Sequence, residues 1–122
     1  MTRYATIIAI ACAAGLSMPL AAQAHAHVDH SQPAAGVTIK AAPNEVTLSF
    51  TEAVEPKFSS IEVRDAKGTA VQSGSAQAVA GNTAQLRVGV KALPPGTYTV
   101  KWRVLSVDTH RSQGDFTFTV GP

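Results

Sequence analysis

The chain is 122 residues long and carries ten Lys/Arg against eight Asp/Glu, a formal charge of +2 with its four histidines neutral. That near balance, with no basic block of the kind that tracks phosphates, argues against nucleic acid as a partner. A single cysteine excludes a disulfide framework within the chain.

Residues 1–24 read as a cleavable secretory leader. Arg3 supplies its positive end, Ile7 to Ala14 form a short alanine-rich apolar stretch, and Pro19 breaks the segment before the small-residue site Ala22-Gln23-Ala24. A cut there leaves residues 25–122, about the size of one small domain. It also removes Cys12, Met1 and Met18, and by removing Arg3 reduces ten basic side chains to nine against the same eight acids. The expected product is a periplasmic monomer without disulfides, held together by packing and not inserted in the membrane. Ala24-His25-Ala26 is itself an acceptable small-X-small site, and cutting there would make His27 the first residue.

The remaining sequence alternates with period two almost throughout. Val46, Leu48 and Phe50 alternate with Thr47 and Ser49; Ile61 and Val63 alternate with Glu62 and Arg64 before a hairpin turn at Asp65-Ala66-Lys67-Gly68. Ser73 to Asn82, rich in Ser, Ala, Gly and Gln, reads as weak edge structure or loop. Leu86, Val88 and Val90 follow, then Tyr98, Val100, Trp102 and Val104, and finally Phe116, Phe118 and Val120. One apolar face per strand predicts two sheets packed face to face, an all-β sandwich. Leu93-Pro94-Pro95-Gly96-Thr97-Tyr98 has the form of a tyrosine corner, with Trp102 as a bulky core anchor.

The histidines are unevenly spread. His25, His27 and His30 lie at the processed terminus, and His110 stands alone in Asp108-Thr109-His110. After cleavage His25 offers a metal its α-amine and its imidazole. If the strand through Val104 remains extended to Asp108, then Asp108 and His110 point to one side of it. Nitrogen and oxygen donors in a roughly planar set suit Cu(II) or Ni(II), whereas Zn(II) prefers tetrahedral sites and gains nothing here without thiolates. The loss of both methionines removes the thioether that would hold Cu(I), so no Cu(I) methionine site is expected. A second Cu(II) mode stays open. His25-Ala26-His27 has the form amine-X-His, able to wrap an ion with the amine, two deprotonated amides and the His27 imidazole. His30 is expected to be structural or solvent-facing.

At these residues the sequence resembles the CopC/PcoC-type periplasmic copper-binding proteins over its whole processed length. The matching stretches are His25-Ala26-His27, Pro33-Ala34-Ala35-Gly36, Leu48-Ser49-Phe50-Thr51-Glu52, Leu93 to Tyr98, and the run SVDTHRSQG from Ser106 to Gly114. The resemblance implies an immunoglobulin-like Greek-key β-sandwich or barrel that binds one Cu(II) per chain through His25, Asp108 and His110. It places Glu52 near the metal, outside the ligands, with His27 as a neighbour or alternative ligand. It also implies copper carriage or sequestration and an inner-membrane partner of the CopD type. One departure is clear: the loop from Glu52 to Ser60 lacks the methionines with which some members bind Cu(I).

Two other classes compete. A terminal histidine brace also serves oxidative enzymes, but a coordinating carboxylate would occupy a position that oxygen activation needs open. A plain interaction or adhesion module of the same architecture would leave the histidine cluster without a purpose.

Overall fold

The computed structural model describes residues 25–122, so the proposed leader and its cleavage site lie outside the described residues. Eight strands run in chain order: β1 Val28–Gln32, β2 Thr38–Ile39, β3 Glu45–Phe50, β4 Ser60–Arg64, β5 Gln72–Val79, β6 Asn82–Val90, β7 Gly96–Leu105 and β8 Arg111–Val120. They form two four-stranded sheets, β1-β3-β6-β5 and β2-β8-β7-β4. Only the β5–β6 and β7–β8 connections stay within a sheet; every other connection crosses from one sheet to the other. The sheets remain separate, so the predicted sandwich forms and the barrel alternative does not.

Alternation in the sequence becomes layering in the fold. Val46 and Leu48 of β3, Leu86 and Val88 of β6, and Val63 and Val100 of β4 and β7 are fully or almost fully buried between the sheets. The sheets are anchored where β7 enters. The Tyr98 hydroxyl donates to the Pro94 carbonyl four residues earlier, the bond expected of a tyrosine corner. Its ring stacks on Phe118, with centroids 5.5 Å apart. Further along, Trp102 meets Phe50 edge-on across the core, also at 5.5 Å.

Two elements depart from what alternation suggests. The segment Val28–Gln32 has no apolar period, yet it forms β1 by hydrogen-bonding the open edge of β3, with a register shift between Val28 and His30. Here strand formation follows from backbone pairing, which the side-chain pattern does not report. Of the stretch from Ser73 to Asn82, expected to be weak edge structure or loop, residues 73–79 belong to a full eight-residue edge strand, β5, against β6. Its ladder is interrupted between Ser73 and Gln77 and again between Ala78 and Val79. Such irregularities and small polar side chains blunt an edge against pairing with another chain.

Gly114 shows how tightly the site-bearing end is packed. A Cβ at this position would lie 2.5 Å from Trp102 Cζ2 and 2.8 Å from Cε2, so the indole occupies the space that any side chain would need. Gly114→Ala is therefore expected to destabilise the fold by about 1–3 kcal/mol through overpacking. Thermal unfolding should show this as a midpoint lower by roughly 4–8 °C for each kcal/mol. An unchanged midpoint would mean that the Trp102 ring yields freely.

Candidate metal site

The β7–β8 ladder runs without interruption from Gly96↔Val120 to Leu105↔Arg111, and the site lies in the turn that closes it. Residues on the inner face of β7 recur at every second position: Tyr98, Val100, Trp102, Val104. Ser106 falls on the same parity and is fully buried. A serine at a core position must find hydrogen-bond partners. Its backbone N–H donates to the His110 carbonyl at 2.9 Å, and its hydroxyl accepts the His110 N–H at 3.2 Å. The hydroxyl also contacts Asp108 Oδ1 and, at 3.1 Å, the His110 carbonyl. One buried side chain thus fixes both halves of the Asp-X-His motif.

The motif itself is a turn. The expectation that Asp108 and His110 share one side of an extended strand is not met, because β7 ends at Leu105 and β8 begins at Arg111. The two side chains meet because Thr109 adopts φ +74°, the left-handed region that β-branched residues rarely enter. That conformation is held by a bond from Thr109 N–H to the Ser106 carbonyl at 2.9 Å. The result brings His110 Nδ1 to 3.2 Å from Asp108 Oδ1, with both side chains about half exposed.

His25, the first of the described residues, also reaches this turn. Ala26, next to it, is fully buried, and its carbonyl accepts a hydrogen bond from Ser112 Oγ at 2.5 Å. His27 is tied to Thr51 twice: its N–H donates to Thr51 Oγ1 at 3.1 Å, and its carbonyl accepts the Thr51 N–H at 2.9 Å. These bonds deliver the His25 ring to 5.1 Å from the His110 ring, in an edge-to-face contact at 85°. His25, Asp108 and His110 are therefore brought together. Among the described residues, however, no three His, Cys, Asp or Glu side chains converge closely enough to hold an ion as they stand.

Glu52 lies on the segment that borders both halves. Its neighbour Thr51 bonds His27, and its neighbour Ala53 accepts the Val107 N–H at 3.1 Å. Glu52 is half-buried, and no hydrogen bond or ion pair joins it to His25, Asp108 or His110. His30 is exposed on β1 and pairs with the adjacent Asp29 at 3.1 Å, in line with a solvent-facing role. Reading the sequence for ligands misses Ser106 and Ser112. The signal was available: serines on the inward parity of β7 and β8, flanking Asp108 and His110 in the run Ser-X-Asp-X-His-X-Ser.

A model of the CopC domain matches residues 28–121. The chain belongs to the CopC family. It is 42% identical over 98 residues to protein YobA of Escherichia coli K12, covering 80% of this chain and 79% of that one. Among solved structures, CopC from Methylosinus trichosporium OB3b superposes with a TM-score of 0.76 at 37% identity, over 80% of this chain and 95% of that one. PcoC, a methionine-rich copper resistance protein from Escherichia coli, gives a TM-score of 0.67 at 33% identity, over 80% and 99%. For this CopC-family chain a copper-binding role follows from membership, and the β-sandwich is shared with both structures.

The electrostatics of the turn give a direct test. The Ser106 hydroxyl, aided by the ring and backbone N–H of His110, holds the Asp108 carboxyl below its ordinary value, while partial desolvation acts in the opposite direction. A carboxyl with a lowered folded value contributes stability above its unfolded value of about 3.9. That contribution is lost as pH falls through the lowered folded value. Denaturant unfolding of the metal-free protein should therefore lose stability below about pH 4 more steeply than Asp108→Asn does. Parallel profiles would mean that Asp108 has no favoured partner in the folded chain.

Proposed function

We propose that the processed protein binds one Cu(II) ion through a terminal histidine brace and carries or sequesters copper in the periplasm. The ligands are the α-amine and imidazole of His25, the imidazole of His110 and the carboxylate of Asp108. The observation that carries this reading is the approach of the His25 ring to 5.1 Å from His110, with Asp108 already 3.2 Å from that same imidazole. Residues more than eighty positions apart in the sequence meet at one exposed turn, and their nitrogen and oxygen donors suit a planar, oxidised copper ion. As they stand the three side chains do not converge on one point, so binding requires them to reorient.

The amine is the missing component. In the uncut chain the nitrogen of His25 is an amide, which cannot serve as an amine ligand, so leader removal completes the site. Residues 25–122 contain no methionine, which leaves Cu(I) without its usual soft ligand. Glu52, on the segment joining the two halves, is suited to adjusting the ion's surroundings without ligating it. The protein acts as a carrier and not as a catalyst, because the Asp108 carboxylate occupies a position that oxygen would need. Its recipient is an inner-membrane copper transporter of the CopD type. Among the described residues no helix is long and apolar enough to cross a membrane.

Cu(II) titration of the exported protein tests the ligand set. His110→Ala should abolish the tight one-to-one site, whereas His27→Ala should retain it. Loss with His27→Ala and retention with His110→Ala would replace this reading with the amine-X-His mode.

A further inference from the structure

A terminus that begins His-X-His has two ways to bind Cu(II), and the fold bears directly on the choice. The amine-X-His chelate needs the nitrogens of residues 26 and 27 as ligands, wrapped around the ion in one plane with the His27 imidazole. In this structure Ala26 has no exposed surface at all, so an ion cannot reach its nitrogen unless Ala26 leaves the core. The Ser112 hydroxyl holds the Ala26 carbonyl across 86 residues of sequence. The nitrogen of His27 is engaged as well, its proton directed at Thr51 Oγ1 at 3.1 Å, and the His27 carbonyl is held by the Thr51 N–H at 2.9 Å.

We propose that Ser112 and Thr51 are specificity-determining positioning residues: together they lock Ala26 and His27 into the sandwich, forbid the amine-X-His chelate, and leave His25 no copper partner but the Asp108/His110 turn. The inference rests on the copper reading above and adds to it a reason why one of two chemically available modes is chosen. Ser112 acts on the terminus through Ala26 and Thr51 acts through His27; neither needs to touch the ion. The lock also fixes where His25 emerges, since Ala26 is held at the start of β8 beside the residue that follows His110 and Arg111. Preorganising the terminus in this way lowers the ordering cost of binding by the brace and raises it for the chelate.

The test is a double-mutant cycle with Cu(II) alone as probe. It uses protein exported from the full-length chain, with its terminus checked by intact mass and its fold by thermal unfolding. In the parent, His27→Ala should leave the Cu(II) affinity and electron paramagnetic spectrum unchanged. In a Ser112→Ala/Thr51→Val background the spectrum should shift toward four nitrogen donors, and His27→Ala should then lower affinity by about tenfold or more. Ser112→Thr, which keeps the hydroxyl, should retain parental behaviour; should the double variant fail to fold, each single variant reads the same shift at smaller amplitude. Unlocked protein that keeps the parental spectrum and stays indifferent to His27 would overturn the lock while leaving the brace intact. Dependence on His27 in the parent itself would overturn the brace and the lock together.

Discussion

Ten consecutive backbone pairings between β7 and β8 form the constraint on which both the core and the site depend. The ladder fixes which side chains face inward, and so places Tyr98 against Phe118 and Trp102 against Phe50. Carried one step beyond Val104, the same parity buries Ser106 at the mouth of the turn. Carried back along β8, it places Gly114 beneath the indole of Trp102 and Ser112 beneath the terminus. A one-residue slip in this pairing would turn every one of these side chains outward. The core and the Asp108/His110 turn are thus two consequences of one register.

Much of this was legible in the sequence because the responsible forces leave a periodic trace. Strands β3, β4, β6, β7 and β8 announce themselves by alternation, and Tyr98 by its spacing from Pro94. What alternation cannot report is pairing that depends on backbone alone. That is why β1 and the full extent of β5 emerge only in the structure. The same limit applies at the site. His25, Asp108 and His110 stand out by residue type, but Asp108 and His110 meet through a turn, where their spacing alone suggests an extended strand. A left-handed Thr109 is invisible to pattern reading, since nothing about threonine favours that conformation. Ser106 and Ser112 were hidden for a different reason: serine is common on strands, and only knowledge of which parity faces inward makes these two exceptional.

The two halves of the site are built by different means. The Asp108/His110 half is local, a five-residue turn braced by a buried serine and a strained threonine. The His25 half is non-local, brought in by strand β1 and fastened through Ala26 and His27 to residues far away in sequence. Such a division suits the metal uptake after export proposed above. The turn is in place once the sandwich forms, and in the proposed brace the terminus becomes a full ligand when its amine is released. Methionine, absent from residues 25–122, plays no part in this arrangement, in contrast to the methionine-rich character of PcoC.

The central claim is that a free His25 amine completes a Cu(II) site whose other ligands the fold has already gathered. The most direct measurement compares Cu(II) binding by protein that begins at His25 with protein carrying one additional residue, Ala24. The account predicts one tightly bound ion for the first, and for the second an affinity lower by at least roughly a hundredfold, the upper end of what losing even an outer partner of a metal ligand costs. Equal affinity for the two would contradict it, because the His25 amine would then have no part in holding copper.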